Sequence, residues 1–240
     1  MTKILKVAIM QPTYLPWPGY FSLMDAVDIF VFLDDVQFNK RSWQQRNKIK
    51  TLKGAHWLSF PVLSKGKHDQ IISDVELVDE FENKEKHLKT IQNNYSKTPY
   101  FKNIFQKIEQ VFEVEHKLLI NLNIAVIKLI QEELKIESKF LLSSNLNNKG
   151  KKDNKIHSIC KDLGATDYYS PTGSFDYMEK SNLFKQSNIK VQYFNFHPAQ
   201  YMQIHGEFIP YLTTLDLLFN NLHNARDYIK CKKNISISKG

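Results

Sequence analysis

Residues 7–47 have the sequence VAIMQPTYLPWPGYFSLMDAVDIFVFLDDVQFNKRSWQQRN, and this stretch predicts the fold of the chain more directly than any other. Residues 7–10 form a short apolar run typical of a buried strand. Residues 11–20 contain three prolines and one glycine, which predicts a stiffened loop because proline fixes φ and removes a donor. A short helix at about 20–26 and a second apolar strand at 28–33 are expected to follow. This order is typical of an α/β fold.

The same kind of pattern continues through the chain. Further strands are predicted at 56–62, 71–78, 139–143, 167–170 and 190–196. Further helices are predicted at 83–95, 99–113, 118–134, 154–163, 176–185 and 215–221. Strands alternate with helices after residue 139, which indicates a parallel sheet. Polar and apolar residues alternate at 74–79, which indicates an antiparallel or edge strand.

These elements predict one α/β domain at 1–228, followed by a basic tail at 229–240. Its sheet is expected to be mostly parallel and Rossmann-like, with some antiparallel edge strands and a helical insertion at about 83–135. A hydrophobic content of 42% is typical of a folded globular protein.

The cysteines and the apolar segments indicate the cellular compartment in which the protein is expected. Cys160 and Cys231 are the two cysteines and lie in no CxxC or Cys/His cluster, so neither a disulfide framework nor a zinc site is indicated. The apolar run at 7–10 is too short for a signal peptide. Polar residues interrupt the apolar helix at 118–134, which is therefore expected not to span a membrane. We expect a cytoplasmic protein.

Positive charge is concentrated directly after the second strand. Residues 36–68 contain eight Lys and Arg but no Asp or Glu, and this equals the surplus of 33 basic over 25 acidic residues in the chain. Such a local excess suggests an anionic ligand. The alternative is a solvated basic face, since charge runs usually lie on the surface. The position of the segment favours a ligand, because open α/β sheets bind ligands at the carboxyl ends of their strands.

The candidate catalytic residues are two aspartates and one histidine. Asp34 and Asp35 end the second strand, where one of them could act as a general base or orient a substrate amine or hydroxyl. Neighbouring strand residues point to opposite faces, so only one is expected to face a site. The alternative is that they cap the next turn or pair with Arg41 or Arg46. His197, just after the last predicted strand, is the second candidate base, although a lone histidine is more often structural.

The candidate binding residues surround the same strand ends. Arg41 and Arg46 are suited to phosphate or carboxylate, which guanidinium binds bidentately, and Lys40 and Lys48 add charge. The hydrogen-bonding and stacking candidates are Gln11, Tyr14, Tyr20, Gln37, Trp43, Gln44 and Asn47. The eight histidines show no HExxH or other metal-ligand spacing, so no metal site is predicted.

Several motifs together resemble one known family. QPTYLPWPGYF at 11–21, followed by DIFVFLDDVQFNKRSWQQRNKIK at 28–50, resembles the opening signature of the WbqC-like protein family. The similarity continues in WLSFPV at 57–62, CKDLGA at 160–165 and LDLLFN at 215–220, and covers about residues 6–221. The resemblance implies a role in the biosynthesis of O-antigen and other surface polysaccharides. It implies no particular reaction.

The resemblance and the basic segment together lead to a functional hypothesis. We expect an enzyme that forms an amide by acyl or aminoacyl transfer onto a nucleotide-linked amino sugar, for example one linked to thymidine diphosphate. No bound cofactor is expected; acyl-coenzyme A or aminoacyl-tRNA would be a co-substrate. The basic residues would hold phosphates, and one of the candidate bases would deprotonate the amine. The alternatives are an enzyme similar to nucleotidyl- or glycosyltransferases, and a non-catalytic protein that binds RNA or another partner.

Overall fold

A computed structural model describes residues 4–175, 178, 180–230 and 235–237 of the chain. The strands are β1 (Lys6–Met10), β2 (Ile29–Phe32), β3 (Arg46–Thr51), β4 (Gly54–Ser59), β5 (Lys139–Leu142), β6 (Asp167–Pro171), β7 (Lys190–Phe194) and β8 (Ile235–Ile237). The helices are α1 (Pro18–Asp25), α2 (Glu80–Tyr95), α3 (Phe101–Glu113), α4 (Leu119–Glu133), α5 (Asp153–Asp162), α6 (Asn182–Lys185), α7 (Thr214–Asn221) and α8 (Ala225–Ile229).

The main sheet has the strand order β5-β2-β1-β6-β7-β8. Its first five strands pair in parallel, and β8 pairs antiparallel to β7. This confirms the predicted α/β fold with a mostly parallel sheet and an antiparallel edge strand. The parallel strands run third, second, first, fourth and fifth in chain order, which is the Rossmann arrangement. Strand order therefore reverses between β1 and β6, and a ligand crevice is expected there.

The sheet is buried on both faces, as parallel sheets usually are. Because neighbouring strand residues point to opposite faces, β1 contributes Ala8 to the core on one face and Val7 and Ile9 to the core on the other. The larger core also contains residues of α1, α4 and α7, and the smaller contains residues of α5. The continuous apolar run of β1 is therefore a consequence of burial on two sides.

The helical insertion agrees with the prediction, since α2, α3 and α4 pack in succession between β4 and β5. Leu122, Val126 and Ile130 of α4 are fully buried, in agreement with its apolar sequence. No helix in the described residues combines the length and apolar character needed to cross a membrane.

Two predicted strands differ from the structure. The segment 71–78 is not a strand: it forms a 3-10 turn, Ile72–Asp74, with single bridges to Gln37, Val62 and Leu118 in place of a ladder. Val75 is buried, as the alternating pattern suggests, but the segment forms only isolated bridges and pairs with no strand in the described residues. The second difference is an antiparallel hairpin of β3 and β4, where only a strand at 56–62 was predicted.

Two other predictions fall partly outside the described residues. Of the predicted helix at 176–185, the structure describes 178 and 180–185, and Asn182–Lys185 is helical. Of the predicted basic tail at 229–240, residues 231–234 and 238–240 lie outside the described residues, while Ile235–Ile237 forms β8.

Candidate functional site

A cleft of about 310 Å³ lies at the carboxyl ends of β1 and β6, where the strand order reverses. Its polar lining consists of Gln11, Thr13, Ser42, Gln44 and Asn47. Its aromatic lining consists of Trp17, Tyr20, Trp43 and Tyr168. Aliphatic side chains and Pro171 complete the wall. The lining carries no formal charge at neutral pH, and crevices at this position are where open α/β sheets bind ligands.

The loop that follows β1 is fixed in place from several sides. The Tyr14 backbone N–H donates to the Trp43 carbonyl at 3.0 Å, and the Asn47 amide donates to the Leu15 carbonyl at 2.6 Å. The Pro16 carbonyl accepts from the Thr214 backbone N–H at 2.8 Å. These bonds, together with the prolines, hold the polar groups of the cleft in fixed positions.

Two glutamines form the polar centre of the cleft. The Gln44 Nε2 donates to the Gln11 Oε1 at 2.7 Å, and the Gln44 Oε1 accepts from the Asn39 backbone N–H at 2.9 Å. The Tyr20 hydroxyl donates to the Gln11 carbonyl at 3.2 Å. The Gln11 Nε2 has no hydrogen-bond partner within the described chain, so it can donate to a ligand.

A second polar atom of the lining also has no partner. The Thr13 Oγ1 is buried, and nothing in the described residues forms a hydrogen bond with it. A buried hydroxyl without a partner costs free energy, typically about 1–3 kcal/mol. The nearby Asn123 Nδ2 is already occupied, since it donates to the Pro12 carbonyl at 3.3 Å and the Gln44 carbonyl at 2.8 Å, while the Asn123 Oδ1 is also without a partner in the described residues. A ligand in the cleft could satisfy Thr13.

An aromatic and cationic patch adjoins the cleft at Trp43. We call Trp43, Arg46, Lys48 and Trp57 the basic patch. The Trp43 and Trp57 rings lie 5.2 Å apart, and the Arg46 Cζ and Lys48 Nζ lie 4.4 and 4.8 Å from the Trp57 centroid. In the part of the chain that the structure describes, neither cation forms an ion pair. Both charges are therefore available to an anion beside the cleft.

The other residues of the predicted basic segment lie elsewhere. Lys40 and Arg41 are exposed in the turn before β3, and Lys67 pairs with Glu76. Lys50 is almost completely buried, and its Nζ donates to the Gln203 side chain at 3.1 Å and the Gly206 carbonyl at 3.0 Å. Burial lowers the pKa of Lys50. The run of like charges is thus divided among distinct environments.

The two strand-end aspartates form a separate cluster at the ends of β2 and β5. Asp34 is buried, and its carboxylate accepts from the Ser144 backbone N–H at 2.9 Å, the Ser144 hydroxyl at 2.6 Å and the Ser143 hydroxyl at 2.9 Å. Asp35 forms an ion pair with Lys155 at 2.6 Å. Burial acts to raise the pKa of Asp35, but hydrogen bonds from Lys155 and Ser143 outweigh it and lower that pKa.

The remaining candidates lie away from the cleft. Tyr14 is buried, and burial raises the pKa of its hydroxyl, which lies 2.7 Å from the Nδ1 of His87. Burial also lowers the pKa of His87 to about 4, so that imidazole is neutral at pH 7. Gln37 is exposed and donates to the His68 carbonyl at 3.2 Å. His197 is exposed, with its Nε2 3.1 Å from the Asn195 amide.

The structure thus brings together part of the predicted set. Gln11, Tyr20, Trp43, Gln44 and Asn47 line the cleft, and Arg46 and Lys48 belong to the adjoining patch. Among the candidate binding residues, Tyr14, Gln37, Lys40 and Arg41 do not line it. The polar lining residues not predicted from the sequence are Thr13 and Ser42. Thr13 is adjacent to the predicted Tyr14, and Ser42 lies between the predicted Arg41 and Trp43, so position in the strand-end loops was the available signal.

Comparison with known proteins gives a consistent assignment. The pattern of the WbqC-like protein family matches residues 11–228. The chain is 34% identical over 227 residues to the uncharacterized protein Rv1507c of Mycobacterium tuberculosis, and the alignment covers 94% of this chain and 97% of that protein. No solved structure matches the chain.

Proposed function

The chain belongs to the WbqC-like protein family, and we propose that it transfers an acyl or aminoacyl group onto an amino sugar carried by a nucleotide. In this proposal the product is an amide, and the enzyme works in the cytoplasm in the biosynthesis of O-antigen or another surface polysaccharide. The observation that carries the proposal is the connection, through Trp43, of a neutral polar cleft to two cations that form no ion pair within the described residues.

The chemistry of the two regions matches the two parts of a nucleotide sugar. In the cleft, the Gln11 Nε2 and Thr13 Oγ1 are free to bond to hydroxyl and carbonyl groups, and aromatic side chains offer flat surfaces to a sugar or base. Outside it, Arg46 and Lys48 offer positive charge to a diphosphate. In this proposal the diphosphate binds to the basic patch beside the cleft, and the sugar or base enters the cleft.

All bonds that form and break in the proposed reaction belong to the two substrates. The amine nitrogen of the sugar attacks the carbonyl carbon of an activated ester, so a C–N bond forms. The C–S bond of a thioester, or the C–O bond of an aminoacyl ester, then breaks. The nitrogen loses one proton, and the leaving thiolate or alkoxide takes up one.

Of the two strand-end aspartates, Asp35 is the better candidate base, because it is partly exposed while Asp34 is buried. Asp35 follows the lining residue Leu33 by two positions, and its partner Lys155 directly precedes the lining residue Ile156. Its lowered pKa keeps it ionised, which favours orienting the sugar amine over accepting its proton. His197, exposed to solvent, stays the second candidate base. In this proposal Asp34 holds Asp35 in position through Ser143, whose hydroxyl lies within hydrogen-bond distance of both carboxylates.

Mass spectrometry of the sugar nucleotide tests the proposed reaction. Pure protein is mixed with a thymidine-diphosphate-linked amino sugar and with either acyl-coenzyme A or charged tRNA. We expect the sugar nucleotide to gain the mass of the acyl or aminoacyl group with one donor, which identifies that donor. Release of thymidine diphosphate without this gain would favour a glycosyltransferase. A separate mixture of thymidine triphosphate and the sugar phosphate tests for a nucleotidyltransferase, which would release pyrophosphate. An unchanged sugar nucleotide with every donor would count against the proposed acyl or aminoacyl transfer.

Calorimetry with thymidine diphosphate tests the binding part separately. We expect Arg46→Ala to weaken binding about 10- to 150-fold, because a charge-assisted hydrogen bond contributes about 1.5–3 kcal/mol. The matched control is Lys53→Ala, an exposed lysine in the turn of the same hairpin, which should leave affinity unchanged. Equal weakening by both substitutions would indicate general charge attraction in place of a defined phosphate site.

The basic patch also supports a second candidate, a surface for single-stranded RNA. Cations beside exposed tryptophans are typical of proteins that stack bases while following a phosphate backbone. RNA binding that falls steeply with salt, without any transfer, would favour this candidate. Absence of RNA binding at moderate salt would remove it.

A further inference from the structure

A second chamber of about 220 Å³ lies beside the cleft, with Trp17 between them. Trp17, Met10 and Pro171 line both spaces, so the two share a wall at the ends of β1 and β6. The Trp17 ring packs edge-on against Phe196 at 5.4 Å and lies 5.6 Å from Tyr211. Contacts on this side hold the indole in place.

The lining of the second chamber differs chemically from that of the cleft. Leu23, Phe194 and Phe196 form buried apolar walls. The polar groups at the chamber belong to exposed residues, namely Thr172, Asn195 and Tyr211. Such a space offers few hydrogen bonds to a sugar or phosphate. It is suited to a small aliphatic group, because burial of apolar surface is favourable.

We infer that the second chamber binds the apolar acyl group of the activated ester. This inference rests on the proposed transfer, which needs two substrates whose reacting ends meet. With the sugar in the cleft and the acyl chain in the second chamber, the ester carbonyl lies near the shared wall, where the amine can form the C–N bond while the C–S or C–O bond breaks. The leaving group takes the proton lost by the amine.

Acyl chain length gives the first test, with acetyl- and butanoyl-coenzyme A as calorimetric probes of the intact protein. Butanoyl-coenzyme A has two more methylenes, and each buried methylene contributes about a fourfold gain in affinity. We expect it to bind about 15-fold more tightly than acetyl-coenzyme A. Equal affinity of the two thioesters would overturn the inference for this donor.

A second arm replaces the thioesters with the methyl esters of leucine and alanine, which imitate aminoacyl donors. Tighter binding of the leucine ester alone assigns the chamber to an aminoacyl group, and tighter binding of butanoyl-coenzyme A alone assigns it to a coenzyme A thioester. No chain-length effect in either pair would overturn the inference.

Filling the second chamber with a larger side chain tests whether the acyl group binds there. Thr172 is exposed, so Thr172→Phe places a ring in the chamber with little risk to folding, and Thr172→Ser is the matched control. We expect Thr172→Phe to remove the chain-length effect and leave thymidine diphosphate affinity within about twofold. A chain-length effect that survives Thr172→Phe would place the acyl group elsewhere. If thymidine diphosphate does not bind to the unsubstituted protein, that result would instead count against the proposed nucleotide-sugar site.

Discussion

Two groups of polar residues at the same edge of the parallel sheet differ in how far their hydrogen bonds are satisfied. At the ends of β2 and β5, the Asp34 carboxylate accepts from Ser143 and Ser144, and Asp35 forms an ion pair with Lys155. At the ends of β1 and β6, the buried Thr13 Oγ1 has no partner within the described residues. The first group is closed on itself, and the second is open to a ligand.

The difference follows from the topology of the sheet. Between β1 and β6 the strand order reverses, so the chain leaves the two strands in opposite directions and a crevice remains. The strands β2 and β5 lie on one side of that point, and the turn after β5, Ser143–Asn145, folds back onto Asp34. A carboxylate at a strand end is therefore not by itself a sign of catalysis. At the cleft, by contrast, Thr13 combines a buried hydroxyl without a partner with a position in the crevice.

The largest expected effect comes from removing the Asp34 carboxylate. Asp34→Ala should lower the free energy of unfolding by about 3 kcal/mol, because it removes a buried carboxylate that accepts hydrogen bonds from Ser143 and Ser144. Urea denaturation measures this, and Asp34→Asn, which keeps the size and one oxygen, should cost less. A stable Asp34→Ala protein that has lost transfer would instead make Asp34 catalytic.

A smaller effect is expected from adding one methyl group beside Trp17. In Gly19→Ala the new Cβ would lie 2.2 Å from the indole, so Trp17 must move. We expect a loss of about 1–3 kcal/mol in unfolding free energy and a changed tryptophan fluorescence spectrum. The control is Gly173→Ala, where nothing lies within 4 Å of the new Cβ. Since alanine favours helix, a stabilised Gly19→Ala protein would show that the indole has free space.

The smallest expected effect is a pH dependence that involves Asp35. Its pKa is lowered in the folded protein from about 3.9 in an unfolded chain, so its ion pair stabilises the fold above that pH. The stability difference between wild type and Asp35→Asn should be constant from pH 5 to 7, and should shrink as the pH falls below about 4. Denaturation at several pH values measures it, with the exposed Asp69→Asn as the charge control. A difference that does not change with pH would indicate that Asp35 stabilises the fold by packing.

Much of the fold could be predicted from local patterns. The five parallel strands were expected from apolar runs and from their alternation with helices, because burial on both faces leaves a simple signal in the sequence. Strand β3 was not predicted, since its sequence RNKIKT is mostly polar. It forms because it pairs with β4 and buries Asn47, Ile49 and Lys50 against distant residues. The predicted strand at 71–78 was wrong because its alternating pattern cannot show whether a partner strand is present.

Part of the candidate site could also be predicted from local patterns. Gln11, Gln44 and Asn47 follow or flank predicted strand ends, and the general rule for α/β sheets places them near a ligand. Lys50 has the same sequence signal as Lys48, but it is buried against Gln203 while Lys48 lies over Trp57. Charge patterns along a chain do not distinguish these two environments.

The sequence alone determined the α/β class, the five parallel strands, the concentration of positive charge and the resemblance that identified the family. These depend on composition, periodicity and short motifs, which are local properties. The tertiary structure decided which polar side chains face an open cleft, that Asp34 is enclosed by Ser143 and Ser144, and that Trp17 stands between two spaces. These depend on strand order and on contacts between residues far apart in the chain, such as Pro16 and Thr214, which are 198 positions apart and which no local pattern encodes.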